Sequence, residues 1–210
     1  MIWIIGKNAS VATFPEGFFA DKETMGLNGA ALRFNAHWAF SVYPVHIKEF
    51  LAAGVPIERI IGVKPRYDVQ GQVGLDHRPN YYPGIMNDPL VYNNRTPGQL
   101  PQIREEMNRL YMTRDKVFPY GNYGTCAQLA IYWCVLHNKL PINMAGCNQD
   151  DHCLPGCPDC HSGKKACPVG TDKWAASRAY TREVIRCLNI YGDIVRLYEN
   201  YADYLERTKA

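Results

Sequence analysis

Residues 2–10 have the sequence IWIIGKNAS, a short apolar run that ends in a polar turn. A continuous apolar run closed by Gly6 is typical of a strand that is buried on both faces of a parallel sheet. The turn at residues 6–10 follows the carboxyl end of this strand, which is where open α/β sheets bind ligands. Small residues there let the backbone approach a phosphate group. The stretch therefore predicts a buried first strand followed by a turn that is either a ligand-binding turn or a loop without a ligand, because it has neither the three-glycine dinucleotide fingerprint nor the Walker lysine pattern.

The chain that follows alternates strands, turns and helices. An amphipathic helix is predicted up to Gly54, with Val45, Phe50 and Leu51 spaced to share one face. A second turn of small and polar residues begins at Asn28, after the second predicted strand. The alternation predicts an α/β fold with a doubly wound, mostly parallel, Rossmann-like sheet. The next predicted strands cover residues 24–27, 36–43 and 58–63.

A third polar turn, at residues 119–125, precedes a helix of small and apolar residues. Thr125 is a suitable N-cap, and the N–H groups of the first helical turn favour a phosphate or carboxylate. The remaining predicted elements are a buried strand at 140–146, a long helix at 174–189, a strand at 192–198 and a terminal helix. Residues 64–102, rich in Pro, Gly, Asn and Tyr, show no lasting period and predict an irregular insertion or lid within a single domain of 210 residues.

A Cys/His-rich loop, predicted at residues 147–170, holds five of the eight cysteines and two of the six histidines. Its sequence from 147 to 167 is CNQDDHCLPGCPDCHSGKKAC, with little apolar surface to bury. Thiolates spaced this closely suit tetrahedral Zn²⁺, which we interpret as a structural ion, and disulfides or free thiols are the alternatives. The predicted ligands are Cys153, Cys157, Cys160 and Cys167. The other cysteines, Cys126, Cys134 and Cys187, fall in helical segments and are interpreted as small buried hydrophobes.

Composition excludes few partners. The formal charge of +3 does not indicate a nucleic-acid partner. The first ten residues lack the basic and cleavage regions of a secretory signal, so we expect a cytoplasmic protein. No apolar stretch reaches the roughly 20 residues of a spanning helix, and the oligomeric state is left open.

Taken together, the turns resemble those of the compact bacterial sialyltransferases, which have a single Rossmann-like nucleotide-binding domain, and of the related 6-hydroxymethylpterin diphosphokinase-like proteins. In that superfamily a G-N-G-P-S-type turn follows the first strand, where this chain has G-K-N-A-S at 6–10. A strand ending in Asn comes next, matched by Asn28, and a later T-S-G-type turn opens an Ala-rich helix, matched by Gly124 and Thr125. The resemblance implies a nucleotide site lined by Gly6, Lys7, Asn8, Ser10, Asn28, Tyr123, Gly124 and Thr125.

The resemblance also implies a glycosyltransferase that moves a sugar from a nucleotide donor, such as a CMP-sugar, to an acceptor hydroxyl. Its general base would be a histidine that follows the strand at 140–146. His152 is the first choice, with His161 and Asp150 as the other candidates. The alternatives are a pyrophosphoryl transferase or hydrolase that binds Mg²⁺ at Asp150 and Asp151, a catalytic zinc site, and a non-enzymatic zinc-stabilised binding module.

Overall fold

The computed structural model describes residues 1–41, 43–62, 102–103, 105–106, 126–147 and 172–209. These residues form an α/β fold on one six-stranded sheet. Its strands are β1 (Ile2–Ile5), β2 (Thr24–Leu27), β3 (Trp38–Ser41), β4 (Ile60–Gly62), β5 (Ile142–Ala145) and β6 (Val195–Tyr198). Their order in the sheet is β4-β3-β2-β1-β5-β6, and every pair of neighbours is parallel. β1 therefore lies inside the sheet, with β2, β3 and β4 on one side of it and β5 and β6 on the other.

The helices cover both faces of this sheet. They are α1 (Ala30–Arg33), α2 (Pro44–Ala52), α3 (Cys126–Leu136), α4 (Asp172–Leu188) and α5 (Tyr201–Lys209), with a short 3-10 helix at Ala9–Thr13. Ile2 and Ile4 pack with α3 and α4, whereas Trp3 and Ile5 pack with α1, α5 and the 3-10 helix. Because β1 is covered on both sides, all four of its residues are buried. Burial of each isoleucine side chain contributes roughly 1.5–3 kcal/mol, which explains the unbroken apolar run.

Eight rings form an aromatic cluster on the face that carries Trp3. Its members are Trp3, Phe14, Phe18, Phe19, Phe34, Tyr198, Tyr201 and Tyr204. The Trp3 ring stacks on Tyr198, with 5.5 Å between centroids, and meets the edges of Phe18 at 5.3 Å and Tyr204 at 5.6 Å. Ring pairs of this kind contribute about 0.5–1.5 kcal/mol beyond their buried area. The aromatic cluster thereby fixes α5 on β1 and β6.

Most of the predicted elements are confirmed. The strand at 24–27 has the predicted bounds, and the other described strands lie within the predicted segments. Cys126, Cys134 and Cys187 are buried with free thiols, as expected. Residues 102–103 and 105–106 are helical, but residues 63–101, which hold most of the predicted insertion, lie outside the described residues.

The predicted apolar face of α2 is wrong in part. Phe50 is fully buried, but Val45 is 57% exposed and Leu51 is 40% exposed. The buried face instead contains His46 and Ile47 beside Phe50, because α2 packs on β3 and β4 through positions 46, 47 and 50. The buried face therefore includes His46 in place of its neighbour Val45, which the hydrophobic pattern had placed there. In the described part of the chain, no helix combines the length and apolar character required to cross a membrane.

Candidate functional site

The carboxyl ends of β1 and β5 meet in a close backbone contact, which we call the β1–β5 junction (residues 6–8 and 145–147). The Gly6 amide donates to the Ala145 carbonyl at 2.8 Å, and the Asn8 amide donates to the Gly146 carbonyl at 3.1 Å. A methyl group on Gly6 would lie 2.1 Å from the Gly146 oxygen, and Gly146 itself has a φ of +66°. Both positions therefore require glycine. In an open parallel sheet, the ligand crevice lies where the strand order reverses, which here is between β1 and β5.

The polar turn at residues 6–10 leaves β1 at this junction, as predicted. Asn8 is 8% exposed and Ser10 is 6% exposed, while Lys7 is partly exposed. The turn continues directly into the 3-10 helix, where Val11 N donates to Asn8 O and Thr13 Oγ1 donates to Ser10 O. The side chains of Asn8 and Ser10 are therefore buried within this edge of the sheet.

Asn28 connects three elements at the same edge of the sheet. It follows β2 in the left-handed conformation, with a φ of +53°. Its Oδ1 accepts hydrogen bonds from Ser41 Oγ at the end of β3 (2.7 Å) and from Cys126 Sγ at the start of α3 (3.4 Å). The amino end of an 11-residue helix is therefore brought beside the second predicted turn. The amino end of a helix carries a partial positive charge.

Cys147 closes the junction and is buried at 4% exposure. Its thiol lies near the Ile4 and Ala145 carbonyl oxygens, at 3.8 Å and 3.5 Å. Burial raises the pKa of Cys147 to about 12, and a hydrogen bond from the Gly6 backbone opposes that shift. Cys147 is a buried packing residue just after β5, where the Cys/His-rich segment of the sequence begins.

The structure places four of the predicted nucleotide-binding positions at one edge of the sheet: Gly6, Asn8 and Ser10 in the turn that follows β1, and Asn28 after the neighbouring strand β2. Lys7 belongs to the same turn. No family model, curated protein or solved structure matches this chain. The remaining predictions fall outside the described residues: Tyr123, Gly124, Thr125, Asp150, His152, His161, Cys153, Cys157, Cys160 and Cys167. Among the residues that are described, no group of three or more His, Cys, Asp or Glu side chains is arranged to hold a metal.

Two features of this edge of the sheet were not predicted from the sequence. Ser41, fully buried, holds Asn28 and also accepts from the Tyr43 amide at 3.0 Å. His46, on the first turn of α2, lies 2.7 Å from the Glu49 carboxylate through Nδ1. The i, i+3 spacing of His46 and Glu49 was the available signal for the pair. For Ser41 the signal was a polar residue at the end of a predicted strand next to the strand that ends at Asn28.

Proposed function

We propose that this chain is a Rossmann-like, nucleotide-sugar-dependent glycosyltransferase whose donor binds at the carboxyl edge of β1, β2 and β5. One observation carries the proposal. The β1–β5 junction lies at the point where the strand order reverses, and Asn28 links the end of β2 to the start of α3 at the same edge. The amino end of α3, with its partial positive charge, suits the phosphates of a nucleotide.

The chemistry requires a group that stabilises the leaving phosphate and a base for the acceptor hydroxyl. Lys7, in the turn after β1, is proposed to contact the donor phosphates. His152 is proposed as the base because only five peptide units separate it from Cys147 at the junction, which limits their separation to about 18 Å. His161 and Asp150 remain the other candidates. The proposed Zn²⁺ would hold the loop that contains these residues.

Nucleotide binding is the first test. The purified chain would be screened by thermal denaturation against CMP-, UDP-, GDP- and dTDP-linked sugars. A ligand present at 100 times its Kd adds about 2.7 kcal/mol to the free energy of unfolding, which gives a clear rise in Tm. Absence of a shift with all four classes would contradict the proposed function.

Substitution of Lys7 tests the location of the phosphate site. Lys7→Met should weaken binding of the active nucleotide by about tenfold or more, since a hydrogen bond to a charged group contributes about 1.5–3 kcal/mol. Lys48→Met is the matched control, because Lys48 is an exposed lysine on α2 outside the proposed phosphate contacts. Equal affinities of the two variants would remove Lys7 from the site.

The base is tested by turnover. His152→Ala should lower kcat by about 10²-fold or more while leaving the nucleotide Kd unchanged, because general base catalysis contributes about that factor. His37→Ala is the control, since His37 is exposed and precedes β3 at the opposite edge of the sheet. Normal turnover by His152→Ala would transfer the role to His161 or Asp150, whose alanine variants are measured in parallel.

A further inference from the structure

Three side chains with N–H donors form one row across the sheet. Trp3 on β1 is in register with Asn143 on β5, and Asn143 is in register with Arg196 on β6. Residues in register on neighbouring parallel strands project from the same face, about 4.8 Å apart. We call these three residues the donor row. It lies near the amino ends of the strands, whereas the β1–β5 junction lies at their carboxyl ends.

The donor row lines a cavity of about 300 Å³. Tyr204 and Thr208 of α5 contribute to the wall on one side, and Lys22 and Glu23, which precede β2, contribute on another. This volume is at the lower end of the range for small-molecule sites, so the cavity suits a small ligand.

Two of the donors in this row are buried without an acceptor in the described part of the chain. Asn143 is 2% exposed, and its Oδ1 accepts from the Tyr198 hydroxyl at 3.3 Å, but its Nδ2 has no acceptor there. Trp3 is 3% exposed, and no described residue accepts a hydrogen bond from its indole Nε1. A buried polar group left unpaired costs about 1–3 kcal/mol, and native structures keep few such groups.

Each acidic side chain around the cavity lies next to a basic side chain of opposite charge. Arg196 pairs with Asp193, and Lys22 pairs with Asp21 at 2.7 Å. Glu23 Oε1 accepts from Lys139 and from the Trp38 indole. The acidic side chains therefore already have cationic partners. The unpaired N–H donors of the donor row still lack an acceptor among the described residues.

We propose that this cavity is a binding site for a small carboxylate, whose oxygens accept from Asn143 Nδ2, Trp3 Nε1 and the Arg196 guanidinium. A planar carboxylate matches the arginine fork and supplies enough lone pairs for both amide and indole donors. The site is separate from the proposed nucleotide site, because it lies near the amino ends of the strands and the nucleotide site lies at their carboxyl ends. Its test is therefore independent of the proposed glycosyltransferase.

The experiment uses ¹⁵N-labelled full chain titrated with acetate and, in a second series, benzoate. Saturable shifts of the Trp3 indole N–H and the Asn143 side-chain amide are expected, with the Trp3 signal assigned from Trp3→Phe. Inorganic phosphate is a third series, and a tighter Kd for phosphate than for both carboxylates would overturn the assignment of the ligand class. No saturable shift with any of the three would overturn the site.

Variants give the second measurement. Arg196→Gln should raise the carboxylate Kd by about tenfold or more, because it removes a charged donor. Asn143→Leu should have a similar effect, and the partly exposed Arg196 keeps the test valid if the core substitution unfolds the chain. Arg186→Gln is the matched control, since Arg186 is paired with Glu183 three residues away, as Arg196 is with Asp193. Equal affinities of Arg196→Gln and Arg186→Gln would exclude the proposed contact.

Discussion

Asn28 combines a side-chain role with a backbone conformation that most residues avoid. Asn28→Ala should lower the free energy of unfolding by about 2–4 kcal/mol, because two donors lose their acceptor and alanine is strained at a φ of +53°. Asn28→Gly should recover about 1 kcal/mol of this loss, since glycine accepts the left-handed region without strain. Urea unfolding of both variants measures the two contributions, and equal stabilities would show that the backbone conformation contributes nothing.

Glu23, at the amino ends of the strands, makes a pH-dependent contribution to the stability of the fold. Partial burial acts to raise the pKa of Glu23, but hydrogen bonds from Lys139 and Trp38 outweigh it, so the pKa lies below its ordinary value of 4.5. A lowered carboxyl pKa stabilises the fold fully above pH 4.5, and the stabilisation is lost as the pH falls through the folded-state pKa.

The Glu23–Lys139 pair can be tested by removing its cation. Lys139→Met should lower stability at pH 7 by at most about 1 kcal/mol, because both side chains are 32% exposed. The variant should also lose less stability than the original chain on acidification below pH 4.5. Urea unfolding at a series of pH values measures both effects, with Lys48→Met as the control for loss of a lysine charge. Parallel pH curves for the original chain and Lys139→Met would contradict this account.

At the scale of the elements, the β1–β5 junction depends on the absence of a side chain at Gly6. Gly6→Ala should cost about 3 kcal/mol or more, because the methyl group would meet the Gly146 backbone rather than a side chain that can move. Gly29→Ala is the control, since its methyl group has no atom within 4 Å and its φ of −56° suits alanine. Chemical denaturation should show this control within about 1 kcal/mol of the original chain. Similar losses for both variants would argue against the close contact.

The elements were the most predictable level of this molecule. The strand at 2–5 was predictable because a strand buried on both faces needs a continuous apolar run, bounded here by Gly6. The strand at 24–27, TMGL, was predictable from its position before the turn at Asn28. The face of α2 was not predictable from apolar spacing alone. His46 is buried beside Glu49 there, and the hydrophobic pattern carries no signal for a pair of polar side chains that bond to each other.

At the scale of the whole molecule, stability against local unfolding should decrease from the central strand β1 toward the edge strands of the sheet. Backbone amides of β1 are bonded between β2 and β5 and lie under helices on both faces. Native-state hydrogen exchange should therefore show Ile4 and Ile5 amides opening only with global unfolding, whereas Ile61 on the three-residue terminal strand β4 should exchange at a lower free energy. Equal protection at these positions would contradict the expected gradient.

For the candidate site, the sequence predicted which edge of the sheet it occupies but not its side-chain contacts. Parallel strands bring their carboxyl ends to one edge, so residues 6–10 and Asn28 could be placed together from the strand pattern. The bonds from Ser41 and Cys126 to Asn28 could not, because they depend on side-chain geometry between segments far apart in the chain. The donor row was hidden for the same reason: Trp3, Asn143 and Arg196 become neighbours only through strand register.

The position of β1 also constrains the order in which the chain acquires its structure during synthesis. Four strands, β1 to β4, are complete once residue 62 has been made, but β1 pairs on its other side with β5, so that Ile2 meets Ile142. Pairings between segments this distant form late, because a long loop must close first. One side of β1 therefore stays unpaired on the ribosome while residues 63–141 are made, and the nascent chain must avoid aggregation through this strand edge until residue 145 has emerged.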